Sequence, residues 1–248
     1  MANAKTPFGP AAGVAALGVV WLAALLLTPP TALAKDKQPI PLETHDGLVL
    51  QSDSKVARAY LDPNADFSVY EKIMILDCHV AFRKNWQRDQ RRSGSGRAAR
   101  NEQMEKIKTD VARLFREVFS EKLAQDGGYA IVDTAGEDVL LVRPAILDLD
   151  INVPDNRGTG RSTVYTSTSG AATLLIELYD SETGDILARA ADRKTARSPS
   201  GHMTWTTTAS NRSNARRVLG RWADLLRERL DEFHRTKEAD APAEPPAH

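Results

Sequence analysis

The chain has 248 residues, and its 33 basic and 33 acidic residues give a formal net charge of zero at pH 7. This balance excludes a global attraction to nucleic acid or to other strongly charged partners, so any electrostatic recognition must be local. The single cysteine, Cys78, excludes an internal disulfide framework, so a folded domain must be stabilised by its hydrophobic core.

The first 34 residues have the organisation of a secretory signal peptide. Lys5 is the only charge before Lys35, residues 11–27 form an unbroken apolar run, and Ala32-Leu33-Ala34 supplies the small-x-small site that signal peptidase accepts. An uncleaved anchor is the alternative, although the run is shorter than the roughly 20 residues of a typical membrane span. The sequence therefore predicts a periplasmic protein, cleaved after Ala34. No cysteine lies near this junction, so we do not expect lipidation there.

The first part of the mature chain leads into a strand. Residues 35–54 are polar and predict an extended lead-in, and residues 56–70 have no regular period. Residues 72–82 alternate with a period of two, which predicts one continuous strand. Its continuously apolar side is expected to face the core, and consists of Met74, Leu76, Cys78, Val80 and Phe82.

A basic stretch follows at residues 83–100, with seven basic residues against the single acid Asp89 and a Ser-Gly-Ser-Gly segment inside. No apolar period runs through it, so it predicts a mobile loop. Basic side chains around a tryptophan suit an anionic membrane surface, although a solvated loop without a partner is the alternative. The candidate residues for binding such a surface are Lys84, Trp86, Arg88, Arg91, Arg92 and Arg97.

The middle of the chain predicts a helix and two strands. Apolar residues at steps of three and four indicate an amphipathic helix over residues 101–125, with Asn101 as its N-cap and Gly127-Gly128 ending it. A short strand at residues 129–133 and a longer one at residues 138–152 follow. Pro144 is expected to interrupt the longer strand at an edge or a bulge, because proline has no N–H with which to donate a hydrogen bond to a neighbouring strand.

Residues 170–193 predict a β-hairpin, which is the central element of the fold. On the first arm Ala172, Leu174, Ile176 and Leu178 share an apolar side, and residues 180–185 supply the turn. On the return arm Ile186, Ala188 and Ala190 are expected to share one side. A lone hairpin is marginal in water, so other elements must cover its apolar side.

A second amphipathic helix is predicted over residues 210–235, with Trp222 in its apolar stripe, and residues 236–248 predict a disordered tail. Residues 55–235 therefore form one α+β domain. Its fold class is a two-layer sandwich, in which two long amphipathic helices pack on a mixed, mostly antiparallel sheet.

Candidate catalytic residues are sparse. Asp77 and His79 share one side of the first strand, which permits a base and its orienting acid, but Cys78 points the other way and no activated serine is recognisable nearby. Asp148, Asp150 and Asn152 line one side of a strand and could contribute oxygen ligands to a calcium or magnesium site. The sequence has no glycine-centred loop or glutamate at the spacing that such a site requires, so a solvated strand side is the alternative. His202 lies in a threonine-rich loop without partners. We expect no cofactor and no metal.

Four segments carry a family resemblance: YEKIMILDCHVAFRKNW, LVRPAILDLDIN, GAATLLIELYDSETGDILARAADR and RRVLGRWADLLRERLDEF. In this order they resemble domain of unknown function 3313, a bacterial family of exported proteins and envelope lipoproteins. The resemblance covers most of residues 50–235 and is most specific in the hairpin and the Trp222 helix. It implies no activity, because the family has none assigned. The chain departs from the lipoprotein pattern because it lacks the lipid-accepting cysteine.

These observations predict a non-enzymatic periplasmic accessory or binding protein of the bacterial cell envelope. Its expected partner is an envelope protein or an anionic membrane surface, and not nucleic acid. A periplasmic hydrolase that uses Asp77, His79 or the His202 loop is one alternative. A small-ligand carrier is the other, and it would require an apolar pocket. The oligomeric state does not follow from the sequence.

Overall fold

The computed structural model of the chain describes residues 40–89, 97–151, 165–166, 170–195, 204–205 and 208–240. The chain divides into two units, Met1–Ile40 and Pro41–His248, and every element below belongs to the second unit. The predicted signal peptide, His202 with most of its loop, and the last part of the predicted tail lie outside the described residues.

The predicted hairpin lies at the middle of a mixed sheet. Its arms are β8 (Ala171–Asp180) and β9 (Ile186–Thr195), which pair antiparallel. The other strands of this sheet are β1 (Val49–Leu50), β2 (Arg58–Leu61), β3 (Lys72–Ile75), β4 (His79–Phe82), β5 (Ala130–Val132) and β6 (Val139–Asp150). The strand order is β1-β2-β9-β8-β6-β3-β5, and β4 also pairs with β6. A separate two-stranded pair joins β7 (Tyr165–Thr166) to β10 (Thr204–Trp205).

Asp180 holds the hairpin turn. Its Oδ1 accepts hydrogen bonds from the amides of Glu182, at 2.9 Å, and Thr183, at 2.8 Å, while its Oδ2 accepts one from the Tyr70 hydroxyl at 2.8 Å. Gly184 completes the turn at a φ of +75°, a conformation that glycine adopts without strain. The predicted turn is therefore confirmed, and Tyr70 ties it to the rest of the domain.

The hairpin contains a bulge that the sequence pattern does not reveal. Between Leu178 and Tyr179 the register shifts, so that Tyr179 lies opposite Ile186. Leu187 is consequently buried and Ile186 is half-buried, whereas the alternation had placed Ile186 on the same side as Ala188 and Ala190. Beyond the bulge the alternation is as predicted, and Ala188 and Ala190 share a side.

The strand predicted over residues 72–82 is interrupted. β3 and β4 are separated at residues 76–78, and both pair parallel with β6. The interruption changes which residues face the core: Ile73 and Ile75 are buried in β3, whereas Leu76 is exposed. The predicted apolar side is therefore wrong for the first half and right for Cys78 and Val80, because alternation does not continue across the break.

The lead-in and the segment after it contribute to the sheet, contrary to the prediction of an extended, irregular stretch. β1 pairs with β2, β2 pairs with β9, and Leu48 is 1% exposed. These strands are only two and four residues long, too short for a period to be recognised. The hairpin is thereby extended by two short strands at the β9 edge.

Within the described residues, the α-helices that accompany the sheet are α1 (Trp86–Asp89), α2 (Arg97–Ala124) and α3 (Thr208–Asp240). α2 begins four residues before the predicted start, so Asn101 lies inside the helix and is not its N-cap. Gly127, at a φ of +72°, follows α2 as predicted. α3 continues to Asp240, so residues 236–240 are helical and not part of a disordered tail.

α2 and α3 cover one side of the sheet and create the core. Cross-strand partners share a side, so β6, β8 and β9 present Val142, Leu178 and Ala188 together to the helices. From α2 the buried side chains are Leu114, Phe115, Val118, Phe119 and Leu123, and from α3 they include Leu219, Trp222 and Leu230. The predicted α+β sandwich is confirmed.

The opposite side of the sheet carries a charged network around Glu177, which is 7% exposed. Its carboxylate accepts hydrogen bonds from Arg143 Nε at 2.7 Å and Arg189 Nε at 2.8 Å, and Arg189 also pairs with Asp46 at 2.6 Å. Burial alone would raise the pKa of Glu177, but the two guanidinium groups outweigh it and the pKa lies below its ordinary value. The network ties the lead-in to β6, β8 and β9.

Candidate functional site

A groove with a volume of about 470 Å³ opens between α3 and the β9 edge of the sheet. Its floor comes from β2, β8 and β9, one wall from α3, and the other from residues 51–56. Most lining side chains are apolar, while charged residues gather at the exposed margin. We refer to this feature as the groove.

The groove exists because the central part of its floor is made of small side chains. Ala59, Ala188 and Ala190 face α3, and pairing places Ala190 between Ala59 of β2 and Ile176 of β8. An alanine side chain ends at Cβ, so a helix that rests on the leucines and isoleucine of β8 does not reach the floor at β9. The unfilled space above the alanines is the groove.

The α3 side chains that face the groove are incompletely buried. Trp222 and Leu230 are 3% and 2% exposed, whereas Leu225, Leu226 and Phe233 of the same apolar stripe are only half-buried. Phe233 stacks on Phe67 with a centroid distance of 4.7 Å, which closes one end. Apolar side chains are therefore left without full packing along this wall.

At the other end, Asp192 is a buried carboxylate on the helix-facing side of β9. Its Oδ2 accepts a hydrogen bond from Trp222 Nε1 at 2.8 Å and pairs with Lys194 Nζ at 2.8 Å, while Oδ1 accepts from the Ala57 amide at 3.2 Å. Burial would raise its pKa, but the hydrogen bonds from Lys194, Trp222 and Ala57 outweigh that effect and hold the pKa below its ordinary value. Asp192 thus fixes Trp222 against the sheet.

The exposed margin of the groove, which we call the rim, carries charges of both signs. Lys55 Nζ pairs with Glu228 Oε2 at 2.8 Å, and Arg229 Nη1 pairs with Glu232 Oε2 at 2.7 Å. The Arg229 guanidinium also lies over the Phe233 ring, 4.6 Å from its centroid. Asp53 and Arg235 complete the rim.

The residues predicted to bind an anionic surface do not form one loop. Lys84 and Arg88 are exposed around α1, Arg97 is the exposed first residue of α2, and Arg91 and Arg92 lie outside the described residues. The described parts of this stretch are helical at both ends, contrary to the prediction of a loop throughout. None of the residues that the structure describes in this stretch lines the groove.

Trp86 was expected to be an interfacial anchor, and this is wrong because the side chain is buried. It is 2% exposed, stacks on Phe82 with a centroid distance of 4.1 Å, and donates from Nε1 to the Ile151 carbonyl at 2.9 Å. A tryptophan with its donor satisfied inside the domain is a packing residue. Any contact of this stretch with a membrane must therefore rely on its basic side chains.

The catalytic candidates remain apart. Asp77 and His79 are exposed, and Asp77 pairs loosely with Arg116, at 3.6 Å. Cys78 is buried, which raises the pKa of its thiol to about 12 and leaves it protonated at neutral pH.

The predicted row of carboxylates is paired with arginines. Asp150 Oδ1 lies 2.9 Å from Arg83 Nε, and Asp148, at a φ of +50° in a bulge of β6, lies 4.0 Å from Arg193. Asn152 lies outside the described residues. Among the residues that the structure describes, no group of three or more His, Cys, Asp or Glu side chains is placed to hold a metal ion.

The sequence pattern does not reveal the groove, although two of its features carry a signal. Asp192 occupies a helix-facing position of β9, where an acid requires a buried partner. The alanines of the return arm lie opposite larger residues of the first arm, which indicates a local deficit of volume. Neither signal shows how far α3 stands from the sheet, so the sequence does not predict a groove.

A family model described as "Protein of unknown function (DUF3313)" matches residues 42–226. The chain belongs to the DUF3313 family. The matched span of this DUF3313 protein contains every strand of the large sheet, the groove floor and Trp222. It ends at Leu226, so the rim residues of α3 lie beyond it.

Several solved structures show a low structural similarity to this chain. PelC from Paraburkholderia phytofirmans, a dodecamer, is 11% identical over 63% of this chain and 89% of its own, with a TM-score of 0.35. A predicted lipoprotein from Caulobacter crescentus CB15 is 15% identical over 72% and 96%, with a TM-score of 0.31. A predicted homologue of neuraminyllactose-binding hemagglutinin from Helicobacter pylori is 9% identical over 69% and 91%, with a TM-score of 0.32. At TM-scores this low, no property of these proteins is carried over.

No curated protein matches the sequence of this family member. Within the part of the chain that the structure describes, none of the helices combines the length and apolar character needed to cross a membrane.

Proposed function

We propose that this DUF3313 protein is an exported, non-enzymatic binding protein of the bacterial cell envelope and that the groove is its binding site. The observation that carries the proposal is the apolar space of about 470 Å³ between the alanine floor and α3. Ligand sites in proteins have volumes of roughly 300–1,000 Å³ and are lined mainly by apolar side chains with a few polar groups. The groove meets this description.

The envelope location rests on the N-terminal segment. A basic start, an apolar run and an Ala-x-Ala site support export, with cleavage after Ala34 and no lipid attached at that junction. An envelope protein meets membrane lipids and the apolar segments of other envelope proteins. An apolar groove with a charged rim suits both classes of partner.

The arrangement of polar groups favours binding over hydrolysis. The carboxylate at the groove, Asp192, already accepts from Trp222, Ala57 and Lys194, and Asp77 and His79 do not line the groove. A hydrolase needs a base and an acid that converge on one cleft. Of the two alternatives to an accessory protein, the groove therefore favours the small-ligand carrier.

Filling the groove should weaken the binding of an apolar ligand. We expect an apolar dye whose fluorescence rises on leaving water to bind the mature protein saturably, and Ala190→Phe to weaken that binding at least ten-fold by occupying the floor. Phenylalanine at this position enters existing space, so the midpoint of thermal unfolding should change little.

The matched control is Ala191→Phe, one residue further along β9. Ala191 pairs with Leu175 and Arg58 on the opposite side of the sheet and does not line the groove. This variant should bind the dye as the unchanged protein does. Equal dye binding by the two variants would refute the groove as the binding site.

A second proposed role is docking on an anionic membrane surface through the basic stretch. The observation that favours it is the exposure of three basic side chains. Lys84 and Arg88 precede residues 90–96, and Arg97 follows them as the first residue of α2. A basic residue near an anionic leaflet contributes about 1 kcal/mol, and the attraction falls off within a Debye length. Several such residues would give weak, salt-sensitive binding.

Vesicle sedimentation tests this role. We expect the protein to pellet with anionic vesicles at low salt, to remain in solution with neutral vesicles, and to lose binding when Arg88, Arg91 and Arg97 are changed to Glu. Lys106→Glu, at an exposed position of α2, is the single-charge control and should reduce binding only slightly. Binding that persists in the triple variant or at high salt would rule the role out.

A further inference from the structure

The rim of the groove gives information on the class of ligand, provided that the groove is the binding site as proposed above. Its basic residues are Lys55, Arg229 and Arg235, and its acidic residues are Asp53, Glu228 and Glu232. The two signs therefore balance around the opening. An apolar interior beneath a charged rim suits an amphiphile, whose chain and head group have these two characters.

The length of the groove suits a single extended chain. Along β9 the floor runs over the four steps from Ala188 to Asp192, and the α3 wall runs from Trp222 to Phe233. At about 3.3 Å per strand residue the floor is roughly 13 Å long. At about 1.5 Å per helix residue the wall is roughly 16 Å long. These lengths describe an apolar channel between strand and helix, which an acyl chain can follow.

The rim cations do not stand alone. Lys55 pairs with Glu228 at 2.8 Å, and Arg229 pairs with Glu232 at 2.7 Å. Both pairs are well exposed, and exposed ion pairs are weak enough to exchange partners. An anionic head group that binds Lys55 would displace Glu228 and then lie beside an uncompensated carboxylate. A cationic head group would do the reverse and lie beside an uncompensated ammonium.

A head group that carries both charges avoids this conflict. Its anion can pair with Lys55 or Arg229 while its cation pairs with the displaced glutamate, so each rim charge keeps a partner. We propose that the groove binds single-chain amphiphiles with a zwitterionic head group, of the lysophospholipid class, with the acyl chain on the alanine floor and the head group at the Lys55–Glu228 pair.

The test compares four amphiphiles of the same chain length, each below its micelle-forming concentration. They are a zwitterionic lysophosphatidylcholine, an anionic fatty acid, a cationic alkylamine and an uncharged monoacylglycerol, measured by displacement of the apolar dye. We expect the zwitterionic compound to bind about five-fold more tightly than each of the other three, the size of effect that exposed ion pairs provide.

Removing one acidic charge from the rim should shift the ligand preference of the groove towards anionic amphiphiles. Glu228→Gln leaves Lys55 without its acid, so the fatty acid should bind this variant about five-fold more tightly than it binds the unchanged protein. Glu102→Gln makes the same charge change at an exposed site of α2 outside the groove and should have no such effect.

The failure of this inference differs from a failure of the proposed function. If the dye binds in the groove but all four amphiphiles displace it equally, or if Glu228→Gln does not favour the fatty acid, the ligand class is wrong and the groove remains a binding site. If Ala190→Phe and Ala191→Phe bind the dye equally, the groove itself is not the site and both proposals fall.

Discussion

At the scale of single residues, Asp192 is the polar group on which the groove depends. It is 7% exposed, and its three donors come from α3, from β9 and from the segment before β2. A buried carboxylate is costly unless it is paired and hydrogen-bonded, and Asp192 meets both conditions. It therefore joins three separate parts of the chain at one end of the groove.

Asp192→Asn should destabilise the domain by about 1–3 kcal/mol at neutral pH, because it removes the charge that Lys194 and the Trp222 donor face. The pKa of Asp192 is lowered in the folded state, so its charged form adds stability above the unfolded pKa, about 3.9. That stability is lost as the pH falls through the folded pKa. The difference between the two proteins should therefore shrink below about pH 4.

Urea unfolding of both proteins at a series of pH values measures this difference. The exposed acid Asp53 provides the control, because Asp53→Asn removes a charge without a buried partner and should leave stability nearly unchanged at every pH. A difference between Asp192→Asn and the unchanged protein that is constant from neutral to acidic pH would show that the charge of Asp192 does not stabilise the fold.

At the scale of elements, α3 is held to α2 by a guanidinium that satisfies helix-end carbonyls. Arg227 Nη1 donates to the carbonyls of Leu123, at 3.2 Å, and Gln125, at 2.7 Å, and also to that of Lys122. Gly128 permits this approach, since a Cβ there would collide with Arg227 and with the Leu123 carbonyl. The last carbonyls of a helix lack intrahelical partners, so Arg227 acts as a C-cap from a neighbouring helix.

Arg227→Ala should destabilise the domain by about 2 kcal/mol, the loss expected for charge-assisted hydrogen bonds. Arg221→Ala removes the same side chain from an exposed position six residues earlier on α3 and should cost less than about 0.5 kcal/mol. Thermal or urea unfolding compares the two variants. A similar loss for both would indicate that the contact with α2 contributes nothing specific.

The elements also show what the sequence pattern can and cannot predict. The hairpin and both long helices were predicted because their periods extend over many residues, with turn or stop signals at their ends. β1, β2 and the break between β3 and β4 were not, because a strand of two to four residues carries too little alternation. The exposure predicted for Trp86 was wrong because its basic neighbours suggested a surface position. Its burial depends on stacking against Phe82 and on the carbonyl of Ile151, which is distant in sequence.

At the scale of the whole molecule, the groove results from a mismatch between its two layers. The helices rest on the large side chains of β6 and β8, while the helix-facing positions of β9 are Ala188, Ala190 and Asp192, with Ala59 and Leu61 of β2 beside them. This mismatch depends on strand order and register. Composition, net charge and the hydrophobic period of a single element therefore contain no information about it. The α+β sandwich could therefore be predicted from the sequence, and the candidate site could not.

Photo-crosslinking tests the central claim, that an apolar ligand lies between β9 and α3, most directly. A lysophosphatidylcholine with a diazirine near the end of its acyl chain is bound to the mature protein and irradiated, and the modified peptides are identified by mass spectrometry. We predict modification in β9 around Ala188 and Ala190 and in α3 around Leu225 and Leu226, reduced at least ten-fold in Ala190→Phe. Modification spread over the surface, or concentrated in the basic stretch at residues 83–100, would contradict the account.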